Sequence, residues 1–114
     1  MSMRVTVRTK LDVTQADTLV RACKRYCESV SHSDAAKTLT GSVKRHNSSK
    51  HLASFVMSLT NMEISHSSED SWVKSRLNEF YQAQKIREEA EGMGRLVEES
   101  VTSDGDIVME VEYA

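Results

Sequence analysis

The chain has 114 residues and a mass of 12.8 kDa, which fits one domain with a modest core. Hydrophobic residues make up 39% and charged residues 28%, a composition typical of a folded globular protein. No apolar run reaches the roughly 18 to 20 residues that span a bilayer, and the first residues lack the apolar stretch of a secretory signal. Two cysteines are too few for a disulfide scaffold, so we expect a cytoplasmic protein.

Charge is distributed unevenly along the chain. Residues 1–57 carry ten Lys and Arg against four Asp and Glu, a net charge of +6. Residues 58–114 carry five against thirteen, a net charge of -8. Such a division can provide a basic surface for nucleic acid or an acidic surface for a basic partner. We favour a third interpretation, in which the two halves pack together and largely neutralise each other.

The first part of the chain predicts a strand followed by a helix. Residues 3–11 alternate between apolar and polar side chains, the pattern of a half-buried strand. From Thr14, which we expect to be the N-cap, apolar side chains recur at helical spacing over about 15 residues. The apolar positions are Met3, Val5, Val7 and Leu11 in the strand and Ala16, Leu19, Val20, Cys23, Tyr26, Cys27 and Val30 in the helix.

The middle of the chain, residues 31–71, predicts structure least clearly. Eleven Ser and three Thr compete there for backbone hydrogen bonds, and we expect part of this segment to be mobile. Residues 33–41 fit a short helix that ends at Gly41. Residues 52–59 fit either a helix or a strand, and Met62 and Ile64 would belong to a partner strand across Thr60-Asn61.

A second helix and a β-hairpin are predicted for the C-terminal part. The helix begins after Ser67 or Ser68, extends to about Glu91, and ends at Gly92 and Gly94. Its apolar stripe comprises Trp72, Val73, Leu77, Phe80, Ala83, Ala90 and either Ile86 or Gln84. The hairpin has a three-residue loop at 103–105, Ser-Asp-Gly. It pairs Val101 with Ile107, Glu99 with Met109 and Val97 with Val111, and its buried face comprises Ile107, Met109, Val111 and Tyr113.

These elements define a single α+β domain over residues 1–114. We expect an antiparallel sheet formed by the N-terminal strand and the C-terminal hairpin, covered by two amphipathic helices. Strands from the middle of the chain could also belong to this sheet. If the first strand pairs with the last, Arg8 and Lys10 meet Glu110 and Glu112. Each such pair contributes roughly 0.2–1 kcal/mol.

Both ends of the chain resemble a family of uncharacterised proteins. Residues 7–11 read Val-Arg-Thr-Lys-Leu and residues 16–22 read Ala-Asp-Thr-Leu-Val-Arg-Ala. The C-terminal part adds Leu77, Tyr81, Glu88, Glu89, Gly94, Val97, Glu99, Asp104 and Gly105. This pattern is similar to the hypothetical chloroplast open reading frame thirty-five family of chloroplasts and cyanobacteria, a domain of unknown function also expected in bacteria and phages. The resemblance covers residues 5–22 and 72–112. It implies the hairpin fold and no catalytic residues, because the family has no established activity.

The two cysteines are the first candidate for chemistry. Cys23 and Cys27 lie one helical turn apart on the apolar stripe. A zinc site would need two further ligands, which His32, His46, His51 and His66 could supply. No tight histidine pair follows, and buried cysteine behaves as a small hydrophobe. We therefore expect core cysteines and neither a metal nor a cofactor.

Two charged surfaces are candidates for binding. Lys44, Arg45 and Lys50, within a basic segment at residues 44–51, could contact phosphates. The segment contains no aromatic side chain that would stack on bases. The hairpin carries the acidic candidates for a protein partner, which are Glu99, Asp106, Glu110 and Glu112.

The sequence contains no P-loop and no other catalytic motif. We therefore expect a small non-enzymatic protein that binds another protein and serves as an accessory factor or inhibitor of bacterial or phage origin. It would use the acidic hairpin face or a free strand edge, which could also pair two copies of the chain. The alternative is a nucleic-acid-binding module that uses residues 44–51. No membrane partner is expected.

Overall fold

Residues 6–45, 50–95, 97–102 and 106–112 are described by a computed structural model. Within them the chain forms seven strands, two long helices and a short 3-10 turn. In chain order these are β1 (Thr6–Lys10), α1 (Ala16–Tyr26), β2 (Ser29–Ser33), β3 (Thr38–Lys44), β4 (Leu52–Ser58), β5 (Glu63–Ser67), the turn Ser68–Asp70, α2 (Val73–Gly92), β6 (Val97–Val101) and β7 (Ile107–Val111).

Five strands form an antiparallel sheet in the order β1-β5-β4-β3-β2, and β6 and β7 form a separate hairpin. The α+β class and the hairpin register predicted from the sequence are confirmed, whereas the hairpin loop at 103–105 and Tyr113 lie outside the described residues. The predicted pairing of the first strand with the last is wrong. β1 pairs with β5 instead, in a register that sets Lys10 opposite Glu63. β5 therefore supplies the backbone partner and the opposite charge that the sequence pattern assigns to the last strand.

The core lies between one face of the five-stranded sheet and the two helices. α1 contributes Leu19 and Cys23, and α2 contributes Val73, Leu77 and Phe80, all of them nearly or fully buried. The sheet contributes Leu39, Val43, Ala53, Phe55, Met57 and Ile64. The sequence leaves helix and strand open for residues 52–59. Residues 52–58 form β4, in which alternate side chains are buried and exposed, and Leu59 follows it.

Three sequence predictions about helices are wrong. Val30, predicted on the apolar stripe of the first helix, lies in β2, because α1 ends at Tyr26. α1 begins at Ala16 with Gln15, and not Thr14, in the N-cap position. Residues 33–41 belong to a hairpin of β2 and β3 and not to a helix. The predicted helix over residues 33–41 ends at Gly41 because glycine often terminates helices. Gly41 instead lies within β3, where close packing requires a residue without a side chain. A Cβ atom at this position would lie 2.4 Å from the carbonyl oxygen of Ser29 and 3.0 Å from the Phe55 ring.

α2 packs beside α1 and also carries the hairpin. The 3-10 turn precedes it, and the Ser67 hydroxyl accepts a hydrogen bond from the Glu69 amide at the start of this turn. The sequence leaves Gln84 and Ile86 as alternatives for the buried stripe. Gln84 is buried and Ile86 is exposed. No helix in the described part of the chain is both long enough and apolar enough to cross a membrane.

Candidate functional site

Glu99 lies on the hairpin face that packs against the helices, away from the other three acidic candidates. Its carboxylate accepts hydrogen bonds from Arg25 at the end of α1, from the Tyr26 hydroxyl and from Arg87 of α2. The Nη2 atoms of Arg25 and Arg87 lie 3.2 and 3.0 Å from the same carboxylate oxygen. The Glu99 side chain is only 15% exposed. We call these four residues the Glu99 cluster.

The Glu99 cluster is held in a charged, hydrogen-bonded state. Burial alone would raise the pKa of Glu99, but hydrogen bonds from Tyr26 and Arg25 and the charges of Arg25 and Arg87 outweigh burial and lower this pKa. Burial and the hydrogen bond to Glu99 raise the pKa of Tyr26 to about 12. At neutral pH Glu99 is therefore a carboxylate and Tyr26 a neutral donor. The cluster fastens β6 to both helices.

A second ion pair joins the two helices. Arg21 of α1 donates two hydrogen bonds to the Glu88 carboxylate of α2, each 2.7 Å long, and Gln84 donates a third. The hydrogen bond from Arg21 lowers the pKa of Glu88. Arg21 and Arg25 belong to the basic half of the sequence, whereas Glu88 and Glu99 belong to the acidic half. The expected neutralisation between the two halves therefore occurs, in part, at the helices.

Three acidic side chains remain exposed on the outer face of the hairpin. Glu110 lies on β7, Glu112 follows the last residue of that strand, and Glu98 lies directly opposite Glu110 on β6. None of the three forms an ion pair within the part of the chain that the structure describes. They surround a depression of about 430 Å³. Like charges directly opposite each other destabilise a strand pair. We call Glu98, Glu110 and Glu112 the acidic face. Asp106 is also exposed but lies at the other end of β7.

An apolar groove separates β7 from α2. Its floor is formed by Ala83 and Ile86 of α2 and by Ile107 and Met109 of β7, and its volume is about 530 Å³. Polar residues surround this floor, namely Asn78, Glu79, Gln82 and Asp106. The groove therefore combines apolar side chains with a polar rim. Asp106 contributes a carboxylate to this rim, whereas the Glu79 carboxylate is paired with Arg76.

The sequence contained signals for this arrangement. Residues opposite each other in a strand pair share a face, so the predicted register already places Glu99 beside Met109 on the inner face of the hairpin. Ile86 is the apolar residue of α2 that competes with Gln84 for the buried stripe, and such a residue marks a second apolar surface. Glu98 belongs to the acidic face because it opposes Glu110.

The basic candidates lie where β3 ends and β4 begins. Lys44 is half-buried, and Arg45 and Lys50 are exposed. The Lys44 carbonyl accepts a hydrogen bond from Arg76 of α2, which fixes the end of β3 against the helix. Residues 46–49, including His46, lie outside the described residues. The structure thus brings Lys44 and Arg45 to one end of β3 and Lys50 close to the start of β4.

The sheet face opposite the helices is rich in hydroxyl groups. Side chains alternate between the two faces of a strand, so the residues beside Phe55 and Met57 in the sequence point away from the core. The Ser and Thr residues of this face are Thr6, Ser29, Ser31, Ser33, Thr38, Thr40, Ser42, Ser54, Ser58, Ser65 and Ser67. Arg8 and Lys10 lie on the same face, on its edge strand. We call this surface the hydroxyl-rich face.

The cysteines lie where α1 meets the sheet. Cys23 is fully buried in the core, as predicted. Cys27 follows the last residue of α1 and packs against the core from its edge. A hydrogen bond with the Cys23 thiol and burial raise the pKa of Cys27, so Cys27 favours the protonated thiol, which is a weak nucleophile and metal ligand. Within residues 6–45, 50–95, 97–102 and 106–112, no three His, Cys, Asp or Glu side chains are grouped as metal ligands.

Comparison of the chain with known proteins gives no match among family models, curated proteins or solved structures. The resemblance to the chloroplast family therefore stays a prediction.

Proposed function

We propose that this chain is a small non-enzymatic cytoplasmic protein that binds another protein through the surface formed by α2 and the hairpin. An accessory or inhibitory role of bacterial or phage origin is in keeping with the sequence resemblance. The observation that carries the proposal is the apolar groove between Ile86 of α2 and Met109 of β7, with the acidic face beside it.

Exposed apolar side chains are concentrated on this surface. Ile86 is 48% exposed and Met93, at the end of α2, is 67% exposed. The hairpin adds Val101 and Val108, which are also exposed. Single exposed apolar residues are ordinary on protein surfaces, but Ile86 lies in a groove together with Ala83, Ile107 and Met109, and such an apolar patch is typical of a binding site.

Charge supports the same surface. Glu98 and Glu110 oppose each other across the hairpin, and neither forms an ion pair with a residue in the described ranges. A basic partner would relieve their repulsion and would be attracted to the acidic half of the molecule, which accelerates association. The acidic face and the groove together favour a partner with both apolar and basic side chains.

Affinity capture with matched variants tests this proposal. The immobilised chain is incubated with native lysate of its source organism, with and without nuclease, and retained proteins are quantified by mass spectrometry. Ile86→Asp should lose the partner. Leu52→Asp, at a position equally exposed on the opposite side of the molecule, should retain it. The proposal is contradicted if both variants behave alike, or if nuclease abolishes all retention.

The hydroxyl-rich face favours a second candidate function, the binding of nucleic acid with the help of Lys44, Arg45 and Lys50. Serine, threonine, arginine and lysine side chains are the groups that contact phosphate oxygens, and Arg8 lies on the same face. This candidate ranks second because neither that face nor the described part of the 44–51 segment has an aromatic side chain for base stacking.

A titration with labelled single-stranded and duplex oligonucleotides distinguishes the two functions. If residues 44–51 bind phosphates, replacing Lys44, Arg45 and Lys50 with Ala should abolish binding, and the affinity of the unaltered chain should fall steeply with salt. A dissociation constant in the micromolar range or below at physiological salt, lost in the triple variant, would rank nucleic acid first.

A further inference from the structure

The edge of β7 that faces away from β6 is available for pairing. The Thr102 amide donates to the Asp106 carbonyl, which makes this pair a hydrogen-bonded pair of the hairpin. Because such pairs alternate along antiparallel strands, the backbone groups of Ile107, Met109 and Val111 point away from β6. No other described strand pairs with β7. These groups therefore form a row of donors and acceptors that a further strand can use.

The groove lies beside this edge, so a strand added there would have one face over α2. Residues directly opposite each other in an antiparallel pair direct their side chains to the same face. A residue paired with Ile107 or Met109 would therefore direct its side chain into the groove, towards Ala83 and Ile86. Apolar side chains fit this floor. Alternate residues of a strand are about 6.6–6.8 Å apart, so successive inward side chains enter the groove one after another.

The other face of an added strand would lie beside the acidic side chains. Residues between the inward ones would oppose Val108 and Glu110 of β7, next to Glu98 across the hairpin. Lysine or arginine at these positions would pair with the carboxylates. The groove and the acidic face together thus specify an alternation of apolar and basic residues in the occupant.

We infer that the partner presents an extended segment of alternating apolar and basic residues, which adds to the free edge of β7 as an antiparallel strand. Strand addition to a sheet edge is an established mode of peptide recognition, in which backbone hydrogen bonds give affinity and side-chain positions give specificity. The inference rests on the proposed function, since it names the chemistry of the partner of that same surface.

Peptide binding tests the inference directly. The probe is a fluorescein-labelled peptide with the sequence Gly-Arg-Val-Lys-Ile-Lys-Val-Arg-Gly, and its affinity is measured by fluorescence anisotropy at physiological salt. The control peptide has the same composition with all basic residues placed before the apolar ones. We expect the alternating peptide to bind at least about ten-fold more tightly than the control, a difference of about 1.4 kcal/mol.

Two N-methylated peptides test the strand pairing itself. In antiparallel addition, the amides of the apolar residues point towards β7 and those of the basic residues point away. Methylation of the apolar residues' amides should therefore weaken binding at least about ten-fold, whereas methylation of the basic residues' amides should leave it nearly unchanged. Equal effects of the two peptides, or the reverse order, overturn the inference.

Variants of the protein locate the peptide. Ile86→Asp should weaken binding at least about ten-fold, and Leu52→Asp should not change it. If Ile86→Asp does not fold by circular dichroism, Ile86→Ser takes its place, with Leu52→Ser as its control. Glu110→Gln should weaken binding and reduce its dependence on salt. Binding that is unaffected by changes at Ile86 and Glu110 overturns the inference.

The outcomes separate this inference from the proposed function. If a protein is captured through Ile86 but the alternating peptide binds no better than its control, the proposed function stands and the inference fails. A second copy of the chain is the rival occupant, because β1 of another molecule carries Arg8 and Lys10 at alternate positions. Concentration-dependent dimerisation that Glu110→Arg abolishes and an added Arg8→Glu restores, measured by sedimentation equilibrium, would assign the edge to self-association and overturn the inference.

Discussion

Replacing Glu99 with Ala removes the carboxylate that joins the hairpin to both helices. A two-stranded hairpin is marginally stable by itself in water, so β6 and β7 depend on contacts with the rest of the chain. Ile107 packs against the core, and the Glu99 cluster supplies the polar part of the attachment. The hairpin should therefore loosen more than the rest of the fold.

The loss of stability expected for Glu99→Ala depends on how exposed the side chains are that donate hydrogen bonds to Glu99. The Arg25 side chain is 42% exposed, so its pair with Glu99 resembles a surface ion pair, worth about 0.2–1 kcal/mol. The Arg87 side chain is only 13% exposed, and it keeps its ion pair with Glu91 when Glu99 is removed. Its Nη2 group nevertheless loses a nearly buried acceptor, which costs about 1–3 kcal/mol. Tyr26 also loses its acceptor. We expect a total loss of about 2–4 kcal/mol, a large part of the stability of a small domain.

Urea unfolding measures this loss, and Glu98→Ala is the matched control. Glu98 precedes Glu99 on β6, is exposed and opposes Glu110, so its removal should leave stability unchanged or slightly higher. For Glu99→Ala we expect the urea midpoint to fall by about 1–2 M. Amide exchange should accelerate first in β6 and β7. Equal midpoints and equal exchange in the two variants would refute the role of the Glu99 cluster.

Three other measurements test separate parts of the structure. Gly41→Ala should destabilise the domain by about 2 kcal/mol or more, because the added Cβ would meet the Ser29 carbonyl oxygen at 2.4 Å; an unchanged Tm would contradict this packing of β2 on β3. Cys23→Ala should cost about 1–3 kcal/mol in urea unfolding as a core truncation, and stoichiometric zinc in the unaltered protein would contradict that interpretation. The pKa of Glu99 is lower in the folded chain than in the unfolded chain, where it is about 4.3. The stability advantage over Glu99→Gln should therefore be complete above about pH 5 and decline as the pH falls below about 4; an advantage that does not depend on pH would contradict this assignment.

The sequence predicts those helices and strands whose apolar residues recur at regular spacing. It does not predict the serine-rich strands, where that spacing is difficult to recognise. The first strand, both long helices and the hairpin register all follow from apolar spacing. In the serine-rich strands, serine alternates with half-buried residues in Ser29–Ser33 and with buried residues in Glu63–Ser67. This alternation is the pattern of a strand with one solvent-facing side, but serine favours no single element and also suits caps and turns. Composition therefore obscured a periodicity that defines the hydroxyl-rich face.

Strand partners were less predictable than the strands themselves. The charges of β1 suit both β5 and β7, because Glu63 and Glu110 can each oppose a basic residue. Local pattern contains no information on which acidic strand lies nearby, since that depends on how α1 and α2 stack on the sheet. The groove could not be predicted for the same reason, because it forms only where the fold brings Ile86 of α2 close to Met109 of β7.

The Glu99 cluster and the groove act on binding in different ways. Glu99 does not line the groove, but it fixes β6 and hence the position of β7 against α2. Glu99→Ala should therefore weaken binding of the alternating peptide only as far as the hairpin detaches, so that the loss of affinity parallels the gain in amide exchange at β6. Ile86→Asp should weaken binding without a change in that exchange. A Glu99→Ala variant with full affinity and a detached hairpin would show that the peptide does not bind at β7.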